Sequence, residues 1–143
     1  MDKKMFCFQC EQTVGCAGCT GNSGVCGKKA DTARLQDELT GALIGLARAV
    51  DSTTAISKRT GQVIIEGLFT TVTNVNFDDV SIENMIQKVR AEKERLVPDC
   101  SKCQSPCNKT DEYDMQQLWN ANEDIRSLKS LILFGIRGMA AYA

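Results

Sequence analysis

The sequence predicts an all-α fold, an antiparallel helical bundle with a cysteine- and glycine-rich loop at its N-terminal end. Three observations carry that expectation. Apolar residues recur at spacings of three and four along most of the chain after the first thirty positions. The cysteines are confined to two islands, Cys7, Cys10, Cys16, Cys19 and Cys26 in the first and Cys100, Cys103 and Cys107 in the second. The length, 143 residues, suits one domain with a proper core and no need of disulfides. Residues 1-30 are therefore read as the cysteine loop and residues 31-143 as the bundle.

The elements follow in order. Asp31 is a plausible N-cap for a first helix carrying Leu35, Leu39, Leu43, Leu46 and Val50 on one side. A second helix is expected from about Thr54 to Thr73, through Ile56, Val63, Ile64, Leu68 and Val72, although β-branched residues weaken its helix preference. The stretch from Thr73 to Asp79 reads as a turn. Asp79 or Ser81 then caps a third helix through Ile82, Met85, Ile86, Val89 and Leu96, which Pro98 ends. A fourth runs from about Tyr113 to the end, with Leu118, Ile125, Leu128, Ile132 and Met139 on one face. All these stripes are taken as core. The last ten residues form an apolar helix with no polar cap or basic last turn, so the chain is expected to be the front of something longer or to dock this helix on a partner; a tucked-in terminal helix is the plainer account.

Composition limits the chemistry. With no histidine there is no Ser-His-Asp or Cys-His nucleophile pair, no histidine base and no histidine-ligated zinc or iron site. A net charge of -1 offers no footprint for nucleic acid or anionic lipid. Leu131 to Ala143 is too short for a membrane span and is interrupted by Arg137, and the Lys3-Lys4 start has no apolar region behind it as a signal peptide would. A cytoplasmic setting is expected, where clustered thiols bind metal or do redox work rather than form disulfides.

Thiolates on a short segment can wrap a zinc ion or an iron–sulfur cluster. Cys7-x2-Cys10 and Cys16-x2-Cys19 lie only five residues apart, tight for two zinc knuckles. Gly15, Gly18, Gly21, Gly24 and Gly27 crowd the same loop and would let backbone N–H groups turn toward cluster sulfurs. Both features favour a cluster. Lys28 and Lys29 could offset its negative charge, or simply lie on a solvated face, which is the plainer expectation. The stretch Gly21 to Lys29 is not a phosphate loop, since its glycines are misspaced and Lys29 stands where magnesium needs Ser or Thr. A thioredoxin-type Cys-x-x-Cys lacks its βαβ setting. A thiol sensor of redox state is a third class that the cysteine count allows.

Met5-Phe6-Cys7-Phe8-Gln9-Cys10-Glu11-Gln12-Thr13, Gly18-Cys19-Thr20 and Gly24-Val25-Cys26-Gly27-Lys28 closely resemble the N-terminus of the hybrid cluster protein family, also called prismane proteins or hydroxylamine reductases. Thr70 to Asp78 and Leu131 to Tyr142 also look like family segments, so the resemblance covers essentially the whole chain. It implies that Cys7, Cys10, Cys19 and Cys26 ligate a cluster. The gap of eight after Cys10 matches the cubane form, 4Fe-4S, while the gap of six after Cys19 departs from it; 2Fe-2S is the alternative, and zinc ranks behind both. The resemblance further implies an electron-relay role in hydroxylamine or nitric-oxide reduction, with a reductase as redox partner and the catalytic, hybrid cluster housed in further domains. That cluster's histidine ligand is absent here, so no catalytic residue is expected in this chain. Cys16, Cys100, Cys103 and Cys107 would suffice by count for a second metal site, against free surface thiols in a loop. A zinc-stabilised interaction bundle without redox activity is the alternative function; a homo-oligomer is compatible with either.

Overall fold

A computed structural model describes residues 5–10, 17–50, 55–72, 76–97 and 112–143. Within them the fold is all-α, as the periodicity predicts: α1 Ala30–Ala49, α2 Lys58–Thr70, α3 Asp79–Leu96, the short α4 Met115–Trp119 and α5 Glu123–Ala140. The β-structure among the described residues is a single antiparallel bridge between Cys7 and Cys19.

The helix starts differ in detail from the sequence expectation. Asp31 lies in the first turn of α1, where it complements the helix dipole, and the N-cap position is Lys29, whose side chain makes no capping bond. Ser57 caps α2 by accepting from the Thr60 N–H, and Asp78 caps α3 by accepting from Val80 N–H, one residue before the expected Asp79. Pro98 lies outside the described residues; α3 ends at Leu96. The expected single C-terminal helix is two. It breaks at Asn120 to Asn122, where Asn122 caps α5 by accepting from Asp124 N–H.

α1 is the axis of the core. Its Leu35, Leu39, Leu43 and Leu46 pack with Val63 of α2 and with Ile82, Met85, Ile86 and Val89 of α3, all buried. Gly41, on another side of α1, permits the close approach of residues 112–114. Tyr113 donates its N–H to the Gly41 carbonyl, and a Cβ at Gly41 would lie 2.3 Å from the Tyr113 carbonyl oxygen. Arg90 of α3 clasps the same segment through a two-pronged pair with Glu112 and reaches Glu38 of α1 at 2.9 Å. At the α2–α3 seam Glu92, 1% exposed, accepts from Arg59, Arg95 and the Thr60 hydroxyl.

α5 corrects the sequence expectation. Leu118 of α4 is buried, but Ile125, Leu128, Ile132 and Met139, read as core, are exposed, and so are Leu131 and Tyr142. The inward face of α5 is set instead by Arg137 and Ala140. Arg137 is 6% exposed and donates to the hydroxyls of Thr71 and Thr40, tying α5 to the end of α2 and to α1.

Candidate cysteine centre

The first cysteine segment is anchored by aromatic side chains on either side of Cys7. In extended backbone, neighbours of Cys7 point away from it. Phe6 and Phe8 meet Trp119 of α4 at centroid distances of 5.2 and 5.0 Å, and the Arg126 guanidinium stacks over the Trp119 ring at 4.5 Å. The short α4 thus pins the strand that presents Cys7. Cys19 is brought back onto it by paired backbone bonds, Cys7 N–H to Cys19 carbonyl at 3.1 Å and Cys19 N–H to Cys7 carbonyl at 2.7 Å. Gly18 makes that return with φ of +83°, and a Cβ there would crowd the Phe6 ring and the Cys7 carbonyl. Cys7 and Cys19 are buried with Met5 and Ala33.

Cys26 enters from the next turn. Gly24 and Lys28 are joined by a backbone bond of 2.8 Å, and a Cβ at Gly24 would touch the Cys26 sulfur, the Lys28 Cβ and the Met5 methyl. Cys26 therefore shares the Met5 wall with the Cys7–Cys19 pair. Cys10 follows one residue after Gln9 and is half-buried. All four are free thiols. Of the four cysteines expected to act together, the structure pairs Cys7 with Cys19 through their backbones and places Cys26 on the Gly24 turn. Among the described residues no three Cys, Asp or Glu side chains converge on a point that one ion could fill. Cys16, Cys100, Cys103 and Cys107 lie outside the described residues.

Beneath the thiols runs a buried polar chain that sequence reasoning did not foresee. Lys28, expected on a solvated face, is 1% exposed. Its ammonium donates to Gln9 Oε1 at 2.7 Å, and Gln9 Nε2 donates to Asp37 Oδ1 at 2.8 Å and to the Ala33 carbonyl at 3.0 Å. Burial lifts the Asp37 carboxyl to about 6, with the Gln9 hydrogen bond and the Arg137 and Lys28 charges pulling the other way. Burial pushes the Cys7 thiol up as well, opposed by the Gln9 backbone N–H and the Lys28 ammonium. Desolvation lowers the Arg137 guanidinium, which Asp37 and Cys7 partly restore. The signal for this chain was in the sequence, in Gln9 between two cysteines and Lys28 two residues after a third, but helical periodicity does not register residues in loops.

The donor set suits a thiolate-bound group: four free thiols, two of them buried and paired through their backbones. The cysteine-bearing segment, moreover, lies within a recognised sequence family. Residues 5–143 match the Prismane/CO dehydrogenase family. The chain belongs to that family. It is 38% identical to a hydroxylamine reductase of Clostridium perfringens over 96% of its own length, and 40% identical to one of Methanocella arvoryzae over 97%. A hydroxylamine reductase of Desulfovibrio desulfuricans is 36% identical across the whole chain. The chain spans only 28–30% of the length of these relatives. Family membership bears out the resemblance, which covered the cysteine motif and essentially the whole chain. No helix among the described residues is long and apolar enough to cross a membrane.

Proposed function

We propose that this chain is an iron–sulfur electron-transfer domain of a hydroxylamine reductase, in which Cys7, Cys10, Cys19 and Cys26 hold a 4Fe-4S cluster. The observation that carries the proposal is the backbone bridge between Cys7 and Cys19, two buried cysteines of the family motif. When bound, such a cluster accepts and releases one electron at a time. The chain's own residues fix where that happens. The aromatic contacts of Phe6 and Phe8 with Trp119 and the Gly18 turn hold the Cys7 and Cys19 sulfurs in place. Met5 and Ala33 exclude water from one side, and the Gln9 backbone N–H favours the deprotonated Cys7 sulfur that a metal requires. Cys10 and Cys26, both half-buried, complete the set from the more accessible side.

On this proposal the domain relays electrons, in the cytoplasm, from a reductase to a catalytic centre built from other residues of a longer protein. The test is anaerobic purification of the chain followed by iron and sulfide analysis and electron paramagnetic resonance after dithionite reduction. About four irons with matching sulfide and a half-spin signal support it. A colourless protein with stoichiometric zinc overturns it in favour of a zinc-stabilised helical interaction module, and about two irons would replace the cubane with 2Fe-2S.

A further inference from the structure

Lys28 poses an electrostatic problem that the described residues do not solve. An ammonium taken out of water is costly unless an opposite charge or a full set of acceptors replaces its hydration. Lys28 is 1% exposed, and its hydrogen-bond partner is the neutral Gln9 side-chain oxygen. The Phe77 ring, 5.8 Å from the ammonium, adds only a weak attraction. Among the described residues no carboxylate forms an ion pair with it. A second buried cation, Arg137, lies on the same interior, bonded to two threonine hydroxyls. Two buried cations thus face one carboxylate, Asp37, which is bonded to Gln9 rather than to either of them.

Lys28 belongs to the turn that carries a motif cysteine: its carbonyl accepts from Gly24 N–H at 2.8 Å, and a Cβ at Gly24 would lie 3.5 Å from both the Cys26 sulfur and the Lys28 Cβ. We propose that Lys28, held by Gln9, is the built-in counter-ion of an anionic thiolate-bound group at Cys7, Cys10, Cys19 and Cys26, and that it raises that group's reduction potential. The inference rests on the cluster proposed above. One-electron reduction by an external donor adds one negative charge to the group, moves no atom and breaks no bond. A fixed cation in the same low-dielectric interior stabilises that added charge more than the oxidised state. Gln9 acts as a positioning residue: its oxygen orients the ammonium, and its amide is itself oriented by Asp37 and the Ala33 carbonyl.

The experiment uses the full chain loaded anaerobically with iron and sulfide, and redox titration of its visible absorption in the wild type, Lys28→Met, Lys28→Gln and Lys28→Arg. At the wild-type midpoint, Lys28→Met should lower the reduced-to-oxidised ratio about tenfold or more, equivalent to a potential lower by about 59 mV or more. Lys28→Arg keeps the charge and should stay within about threefold of the wild type. Lys28→Gln, which retains a donor to Gln9 without the charge, should follow Met. An unchanged ratio in both neutral variants, with iron retained, overturns the inference and leaves the cluster proposal standing. Loss of iron in both neutral variants but not in Lys28→Arg supports it, because charge is then needed for assembly. Loss in all three overturns it, since shape rather than charge would be at stake. A wild-type chain that takes up no iron and sulfide overturns the cluster proposal and this inference together.

Discussion

Two sides of α1 are held by different physics. Its core-facing leucines from Leu35 to Leu46 sink into an apolar seam with α2 and α3, where stabilisation is spread over many nondirectional contacts. Around the N-terminal half of the same helix, Ala33 and Asp37 receive the Gln9 amide, and Lys28, Asp37 and Arg137 form a buried polar interior under the cysteines. The first region resembles any small helical core. The second retains buried charge at a cost that a structural purpose alone would not require, since apolar residues of similar volume would serve the fold as well or better. The contrast teaches that folding alone accounts for the apolar side of α1 and not for the buried charges beneath the cysteines.

Breaking the apolar region should cost most. Leu39 and Ile82 are fully buried in the seam between α1 and α3. Leu39→Ala or Ile82→Ala should lose about 3 kcal/mol through lost burial and an unfilled cavity. Chemical denaturation of the metal-free chain measures this, and a loss under about 1 kcal/mol would mean that the seam can collapse around the gap. Gly41→Ala comes next. Its methyl would meet the Tyr113 carbonyl backbone, so residues 112–114 must shift and the Arg90–Glu112 clasp must loosen, at about 2 kcal/mol.

At the α2–α3 seam, Glu92→Gln should cost about 2 kcal/mol by removing charge-assisted bonds from Arg59, Arg95 and Thr60. The Arg95 hydrogen bond, foremost among these contacts, holds the Glu92 carboxyl down at about 2 from its ordinary 4.5. The folded state therefore binds this proton later than the unfolded chain. The stability it contributes is fully present above about pH 4.5 and is lost as pH falls toward 2. Asp37 has the opposite sign. Its folded value, about 6, lies above the ordinary 3.8, so ionisation is penalised by folding. Its contribution falls as pH rises from about 4 to 6 and stays low above that window. Asp37→Asn should flatten this trend and raise neutral-pH stability of the metal-free chain, on the order of 1 kcal/mol after allowance for solvent screening. Urea midpoints measured from pH 3 to pH 8 would show both signs; a wild-type profile flat between pH 4 and pH 6 would count against the buried setting of Asp37.

What the sequence made legible divides along the same line. The stripe from Leu35 to Leu46 and that from Ile82 to Val89 could be read because a buried helix face repeats at the helical period. The cysteine motif was legible as a family pattern. Its spacing alone spoke only against two zinc knuckles and did not show that Cys7 and Cys19 pair through their backbones. Lys28 was misread, and the role of Arg137 went unseen, because a charged residue is ordinarily exposed; only neighbours in space, Gln9 for one and Thr40 and Thr71 for the other, reveal the burial. α5 was misread for a related reason. Its amphipathic pattern gives an apolar stripe but does not say which face the rest of the chain covers.

That face supplies the smallest expected effect and the sharpest check on the comparison. Leu131 is 67% exposed and Leu128 62%, so neither loses water contact on folding to any great extent. Leu131→Glu should therefore change the stability of the isolated chain by no more than about 0.5 kcal/mol, the range of ordinary surface substitutions. Arg137→Met on the opposite face removes two charge-assisted bonds, to Thr40 and Thr71, whose hydroxyls keep only their own bonds to the Gln36 and Leu68 carbonyls, and this should cost about 2 kcal/mol. The ratio of the two losses reports the rotation of α5 about its own axis. Were Leu131→Glu to cost more than Arg137→Met, α5 would pack through its apolar stripe and the buried polar interior beneath the cysteines would lose its Arg137 wall. With the order as expected, the apolar stripe contributes little to folding, and the arginine is what fixes the last helix against the rest.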